Sequence, residues 1–97
     1  MMPMTERMQR FLLLAAEDVR LRTTHVAVYL SLCAMAPERG DGWVALSRRQ
    51  VMRATKIRGL ATYHRCMFEL HALGYIVYLP SYHPIKGSVV RFNDLTC

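Results

Sequence analysis

Residues 46–92 read LSRRQVMRATKIRGLATYHRCMFELHALGYIVYLPSYHPIKGSVVRF, and the order of their capping and breaking residues decides the fold. Ser47 and Gln50 have the S-x-x-Q spacing of a capping box, in which each side chain satisfies a free backbone N–H at a helix start. Leu46 before the cap and Val51 after it can close a hydrophobic staple. That helix is expected to reach Ala54 or Thr55. Thr55 to Gly59 then supplies a turn, with Gly59 able to take a positive φ at little cost because glycine has no Cβ to clash. A second helix is expected from Leu60 to Leu73, where Tyr63, Met67, Leu70 and Leu73 recur at helical spacing beside Cys66. Gly74 stands where a left-handed cap ends a helix. Tyr75 to Leu79 has the β-branched and aromatic content of a strand. Pro80 and Pro84 bracket a loop through Lys86, Gly87 and Ser88, and Val89 to Phe92 return as the second strand of a hairpin.

The charge lies in the same stretch. The chain has 13 Lys and Arg against 7 Asp and Glu, a formal net charge of +6. Arg48, Arg49, Arg53, Lys56, Arg58 and Arg65 fall between residues 47 and 65, and no acid does. The remaining basic and acidic residues cancel, so the whole net charge belongs to the helix-turn-helix segment. A basic surface that local is the footprint of a polyanionic partner. The bland alternative is a solvated basic face with no partner, and the missing acids argue against it.

Ninety-seven residues, 53% of them apolar, suit one domain spanning 1–97 with a core of its own. No apolar run approaches the roughly 18 residues of a membrane span; Phe11 to Ala16 is the notable one. MMPMTERMQR does not read as a secretory signal, so the expectation is a cytoplasmic protein with no membrane partner. Three widely spaced cysteines, Cys33, Cys66 and Cys97, make a poor disulfide framework and suit reduced, buried positions. Cys66 with His64 and His71 offers too few ligands for a metal, and no C-x-x-C pair accompanies them. No paired carboxylates, glycine-rich phosphate loop or nucleophile with a base point to an enzyme, and no cofactor is implied.

Residues 5–19 read as an amphipathic helix capped by Thr5. Met8, Phe11, Leu12, Ala15 and Val19 form its stripe, and Glu6, Arg7, Arg10, Glu17 and Asp18 lie mostly elsewhere. Either the stripe covers the core or part of it forms a homodimer seam. A further helix, capped by Thr23 or Thr24 and reaching Ala36, carries Val26, Tyr29, Leu30 and Cys33. Its almost continuous apolar run predicts the most buried helix, with His25 exposed or capping in its first turn. Pro37 and Gly40 end it. Asp41-Gly42 marks a turn before a short strand at Trp43 to Leu46, where Trp43 reads as a core or edge anchor. Asn93 to Cys97 read as frayed.

Three helices, a short strand and a hairpin directly after the third helix make the order of a winged helix-turn-helix domain. L-S-x-x-x-V-x-x-x-T from Leu46 and A-T-Y-H-R-C-x-x-E-L-x-x-L-G-Y-I from Ala61 resemble that family's core. T-K-I-x-x-x-A-T-Y-H-R-C followed by G-Y-I-x-Y-x-P-S-Y-H-P-x-K-G-S is similar to small bacterial winged-helix proteins associated with mobile elements. The likeness covers about residues 23–92 and departs at Arg58-Gly59, where a polar cap such as Ser is the pattern. It implies a mainly α fold: an N-terminal helix, a three-helix core and a wing of two or three strands. It also implies double-stranded DNA as partner, with the third helix in the major groove.

Carried onto this chain, Ala61, Thr62, His64, Arg65 and Phe68 become the base-reading set, on the face opposite Tyr63, Met67 and Leu70. Arg65 is the foremost candidate, because its planar fork matches guanine O6 and N7. Thr62 and His64 can hydrogen-bond base edges or phosphates; the alternative for His64 is an ordinary surface histidine. Arg48, Arg49, Arg53, Lys56 and Arg58 suit phosphates. Arg48 and Arg49 stand at a helix start whose free N–H groups favour an anion, and stability alone would prefer acids there. Tyr82, His83 and Lys86 are the wing candidates, though such a loop tip is also simply soluble. The role expected is a bacterial transcriptional regulator, with a mobile-element excision or replication accessory, or a winged-helix protein-interaction module, as alternatives.

Overall fold

The computed structural model describes residues 3–36, 42–80 and 87–95. Along the chain run α1 (Met4–Glu17), α2 (Thr23–Met35), β1 (Trp43–Ala45), α3 (Arg48–Thr55), α4 (Leu60–Ala72), β2 (Ile76–Leu79) and β3 (Val89–Phe92). The chain is thus mainly helical with a small antiparallel sheet of order β1-β3-β2. The last strand is central: Val90 faces Val44 on one side and Tyr78 on the other. The expected hairpin is present, and the strand at Trp43 joins its outer edge.

The core gathers around α2, which packs against α1, α3 and α4. Val28, Tyr29 and Leu32 are wholly buried on it, with Val51 from α3, Met67 and Leu70 from α4, and Ile76 and Val90 from the sheet. The nearly continuous apolar sequence of α2 has this cause: a helix with neighbours on three sides has little surface left for polar residues. Its start differs from expectation. Thr23 lies inside the helix and Arg22 takes the cap position. His25 accepts at Nδ1 from the Arg22 backbone N–H, 2.9 Å away. It caps, as one reading had it, but it is buried rather than exposed.

The N-terminal helix departs from its pattern. Pro3, not Thr5, precedes its first turn, and proline suits a helix start because its missing N–H needs no partner there. Phe11 is buried, stacked on Tyr29 at 3.8 Å between ring centroids, and meets Tyr75 edge-on. Leu12 is half exposed and Val19 is 97% exposed, so neither belongs to the buried stripe. Asp18 leaves the helix in extended conformation, and its carboxylate accepts from Arg20 and from the Tyr75 hydroxyl, the latter at 2.6 Å. The helix therefore ends before Val19 reaches the stripe. Arg7, expected away from the core, is buried. It donates to the Asn93 carbonyl at 3.1 Å and lies over the Phe92 ring. The Tyr29 hydroxyl beside it makes no hydrogen bond of good geometry among the described residues, though the guanidinium is near enough to act on it. Burial nonetheless pushes Tyr29 up to about 12.

The end of α4 is a Schellman motif: Tyr75 N–H donates to Leu70 O and Gly74 N–H to His71 O, with Gly74 at φ 88°. Tyr75 is thereby used in the cap, and β2 begins one residue later than expected. Asn93 and Leu95 are docked rather than frayed. Asn93 donates from its backbone to Tyr75 O and from its side chain to Gly74 O, and Leu95 is buried. Thr96 and Cys97 lie outside the described residues, as do Pro37, Gly40 and Asp41. Cys33 and Cys66 are free and buried, and burial pushes the Cys33 thiol up to about 11. No helix among the described residues is long and apolar enough to cross a membrane.

The Asp18 contacts give a pH prediction. Hydrogen bonds from Arg20 first, then Tyr75, hold its carboxyl well below the usual 3.8. A lowered carboxyl stabilises the fold above its unfolded value, and that contribution is lost as pH falls through the folded one. Wild-type protein should therefore lose thermal stability between about pH 5 and pH 3 more steeply than Asp18→Asn. Parallel melting curves over that interval would contradict the assignment.

Candidate nucleic-acid interface

Ser47 caps α3 as its spacing predicts, accepting from Gln50 N–H at 3.3 Å. Leu46 packs beside the core and Val51 is wholly buried. The turn differs. The left-handed residue is Lys56, at φ 65°, whereas Gly59 is extended and caps α4. The Thr55 hydroxyl donates to Val51 O and accepts from Ile57 N–H, reversing the chain directly after α3 so that Ile57 enters the core. Gly59 then satisfies the helix start with backbone alone, a role glycine fills nearly as well as serine.

With Val51 and Ile57 buried inward, the basic residues are turned outward. Arg48, Arg49, Arg53, Lys56, Arg58 and Arg65 are all exposed. Arg49 and Arg53, four apart, share a helix face, a like-charge pairing that costs about 0.2–0.5 kcal/mol. Burying Val51 contributes about 1.5–3 kcal/mol, so packing wins and the repulsion is tolerated. Arg48 lies close enough to Tyr63 to draw its hydroxyl down, although burial dominates and pushes Tyr63 up to about 12. Among the described residues, only Arg65 of the six has an acidic neighbour, Glu69 at 4.0 Å.

Glu69 is already engaged. Its Oε1 lies 2.9 Å from His25 Nε2. Since Nδ1 of that ring accepts from the backbone, Nε2 carries the hydrogen and donates to the carboxylate. The pair ties the first turn of α2 to α4. His71, on the same helix, accepts at Nδ1 from Tyr78 N–H and so satisfies one donor on the outer edge of β2. The sequence reading missed both positioning roles, because His25 and Glu69 are 44 residues apart and nothing local links them. It also left out Arg91, exposed on the central strand over the Trp43 ring.

The proposed reading set divides. At about 100° per residue, Ala61, Arg65, Phe68 and Ala72 fall within one stripe opposite the core side, and all four are exposed. Thr62 and His64 lie on opposite flanks and are half buried, so they are not part of the outermost stripe. His64 packs edge-on against Tyr63. Arg65 has 63% of its side chain exposed. The wing candidates Tyr82, His83 and Lys86 lie outside the described residues. Among those described, no group of three or more His, Cys, Asp or Glu is placed to hold a metal.

Comparisons with protein-family models, with curated proteins and with solved structures found no match.

The buried His25 yields a prediction independent of any ligand. His25→Ala removes the α2 cap and the bond to Glu69, and should lower unfolding free energy by about 1–3 kcal/mol in urea denaturation. A change near zero would mean that the ring is not holding the two helices together.

Proposed function

We propose that this chain binds double-stranded DNA with sequence preference, through a winged helix-turn-helix arrangement of α2, α3, α4 and the three strands. The observation that carries the reading is the exposure of six cations on α3, the turn and α4, five of them without an acidic partner among the described residues. A duplex offers one negative charge per about 1.7 Å of axis, the matching partner for such a surface. Arg48, Arg49, Arg53, Lys56 and Arg58 hold phosphates and fix the register. Arg65, on the outer stripe of α4, pairs with a guanine edge. Ala61 beside it is small enough to let the helix come close.

The role is that of a bacterial transcriptional regulator in the cytoplasm. An accessory of a mobile element, acting in excision or replication initiation, would use the same surface; a pure protein-interaction module would not need it. A homodimer through α1 is supported by Leu12, Leu13 and Ala16, which are exposed on the side away from Phe11. A dimer that presents both α4 stripes to one duplex would bind half-sites about 10 bp apart or a multiple of that.

Salt and mutation test the two halves of this reading. Log affinity for duplex DNA should fall against log salt with a slope of about −0.9 per phosphate contact, so four to six contacts give a steep line. A flat titration would reject the basic surface as the binding site. Arg65→Ala should cost about 1–3 kcal/mol on the preferred sequence and relax the preference, whereas Arg49→Ala should weaken all sequences alike. Equal effects of both changes on preferred and random duplexes would remove the distinction between reader and anchor.

A further inference from the structure

We infer that Phe68 is a specificity-determining residue that reads the 5-methyl group of thymine; the inference rests on the duplex-binding reading and names what that surface recognises. Phe68 is 48% exposed in the middle of the outer stripe of α4. The core does not need it there, since Tyr63, Cys66, Met67 and Leu70 fill the buried side of the same helix. Its ring is nevertheless held in place. It meets Tyr78 edge-on, with centroids 5.2 Å apart and planes at 72°. Tyr78 is itself buried, and its backbone N–H is bound to His71. The result is an oriented phenyl ring with an outward-facing half.

Its neighbours on the stripe decide what it can touch. Ala61 and Ala72 are short, so Arg65 and Phe68 are the two side chains that project. A phenyl ring neither donates nor accepts at a base edge, and the apolar group that base pairs offer in the major groove is the thymine 5-methyl. An apolar side chain one turn from the exposed Arg65, in a helix of the segment that carries the chain's whole net charge, fits that groove better than the apolar face of a protein partner, which would have to cover the arginine as well. Arg65 and Phe68 are separated by about 4.5 Å of helix rise. That is a little over one base step of about 3.4 Å. The methyl read by Phe68 therefore lies within a step or two of the guanine read by Arg65.

The test uses the full chain and a short random duplex library, selected once and then resynthesised with thymine or with uracil, which differ only in that methyl. Wild-type protein should bind the selected duplexes roughly fourfold more weakly per contacted position after replacement, the effect of returning one methyl-sized group to water. Phe68→Ala should bind the two forms equally, while Arg65→Ala keeps the difference. Selected sequences should carry thymine within a step or two of guanine. Wild-type protein that binds both forms equally, with its steep salt dependence intact, overturns the role of Phe68 and leaves duplex binding standing. A methyl effect that persists in Phe68→Ala also overturns it. Failure to select any duplex overturns both readings together.

Discussion

The outward character of α3 and α4 depends on what they bury against α2. Val51 from the first, Ile57 from the turn that follows it, and Tyr63, Cys66, Met67 and Leu70 from the second fix which side of each helix is inside. A helix of eight residues such as α3 has little stability of its own. Two arginines in its first turn oppose the helix dipole by a few tenths of a kcal/mol each. Apolar burial exceeds these costs several-fold. The basic residues can therefore be exposed without acids to balance them, because the core and not the surface holds the element in place.

The polar contacts extend the same logic. Between Gly42 and Asn93 the chain has one acid, Glu69. That carboxylate accepts from a buried histidine of α2, and it is this contact, rather than the distant approach of Arg65, that anchors it. The one negative charge in the basic half is thus tied to the helix junction. His71 accepts from one backbone N–H on the outer edge of β2 in the same region, which satisfies that donor beside the exposed stripe. Two of the helix's polar residues serve its placement, leaving Arg65 and Phe68 projecting from the outer stripe.

Local chemistry was legible wherever a few neighbouring residues settle it. The Ser47 cap, the Gly74 stop, the extent of α4 and the return strand from Val89 all follow from signals within a handful of positions. The reading failed where a distant group decides. Periodicity carried α1 on to Val19, but Asp18 leaves the helix and holds both Arg20, two residues on, and Tyr75, 57 residues away. Arg7 looked like a surface residue until the Asn93 carbonyl and the Phe92 ring gave it a buried place. Asn93 and Leu95 looked frayed because their partners, Tyr75, Gly74 and the core, lie elsewhere in the chain. Gly59 was the residue of the turn able to take a positive φ at little cost, whereas the Thr55 hydroxyl helps reverse the chain three residues earlier, at Lys56.

By itself the sequence determined a mainly helical chain with a small hairpin, the cap of α3, the end of α4 and the concentration of positive charge between residues 47 and 65. These are properties of composition and short-range hydrogen bonding, which act within a turn or two. Only the tertiary structure decided that all six basic residues are exposed, that Thr62 and His64 are half buried while Phe68 is open on one side and held by Tyr78 on the other, and that His25 is buried against Glu69. Spacing tells one side of a helix from the other, but how far each residue is covered is set by what packs against the helix from far along the chain.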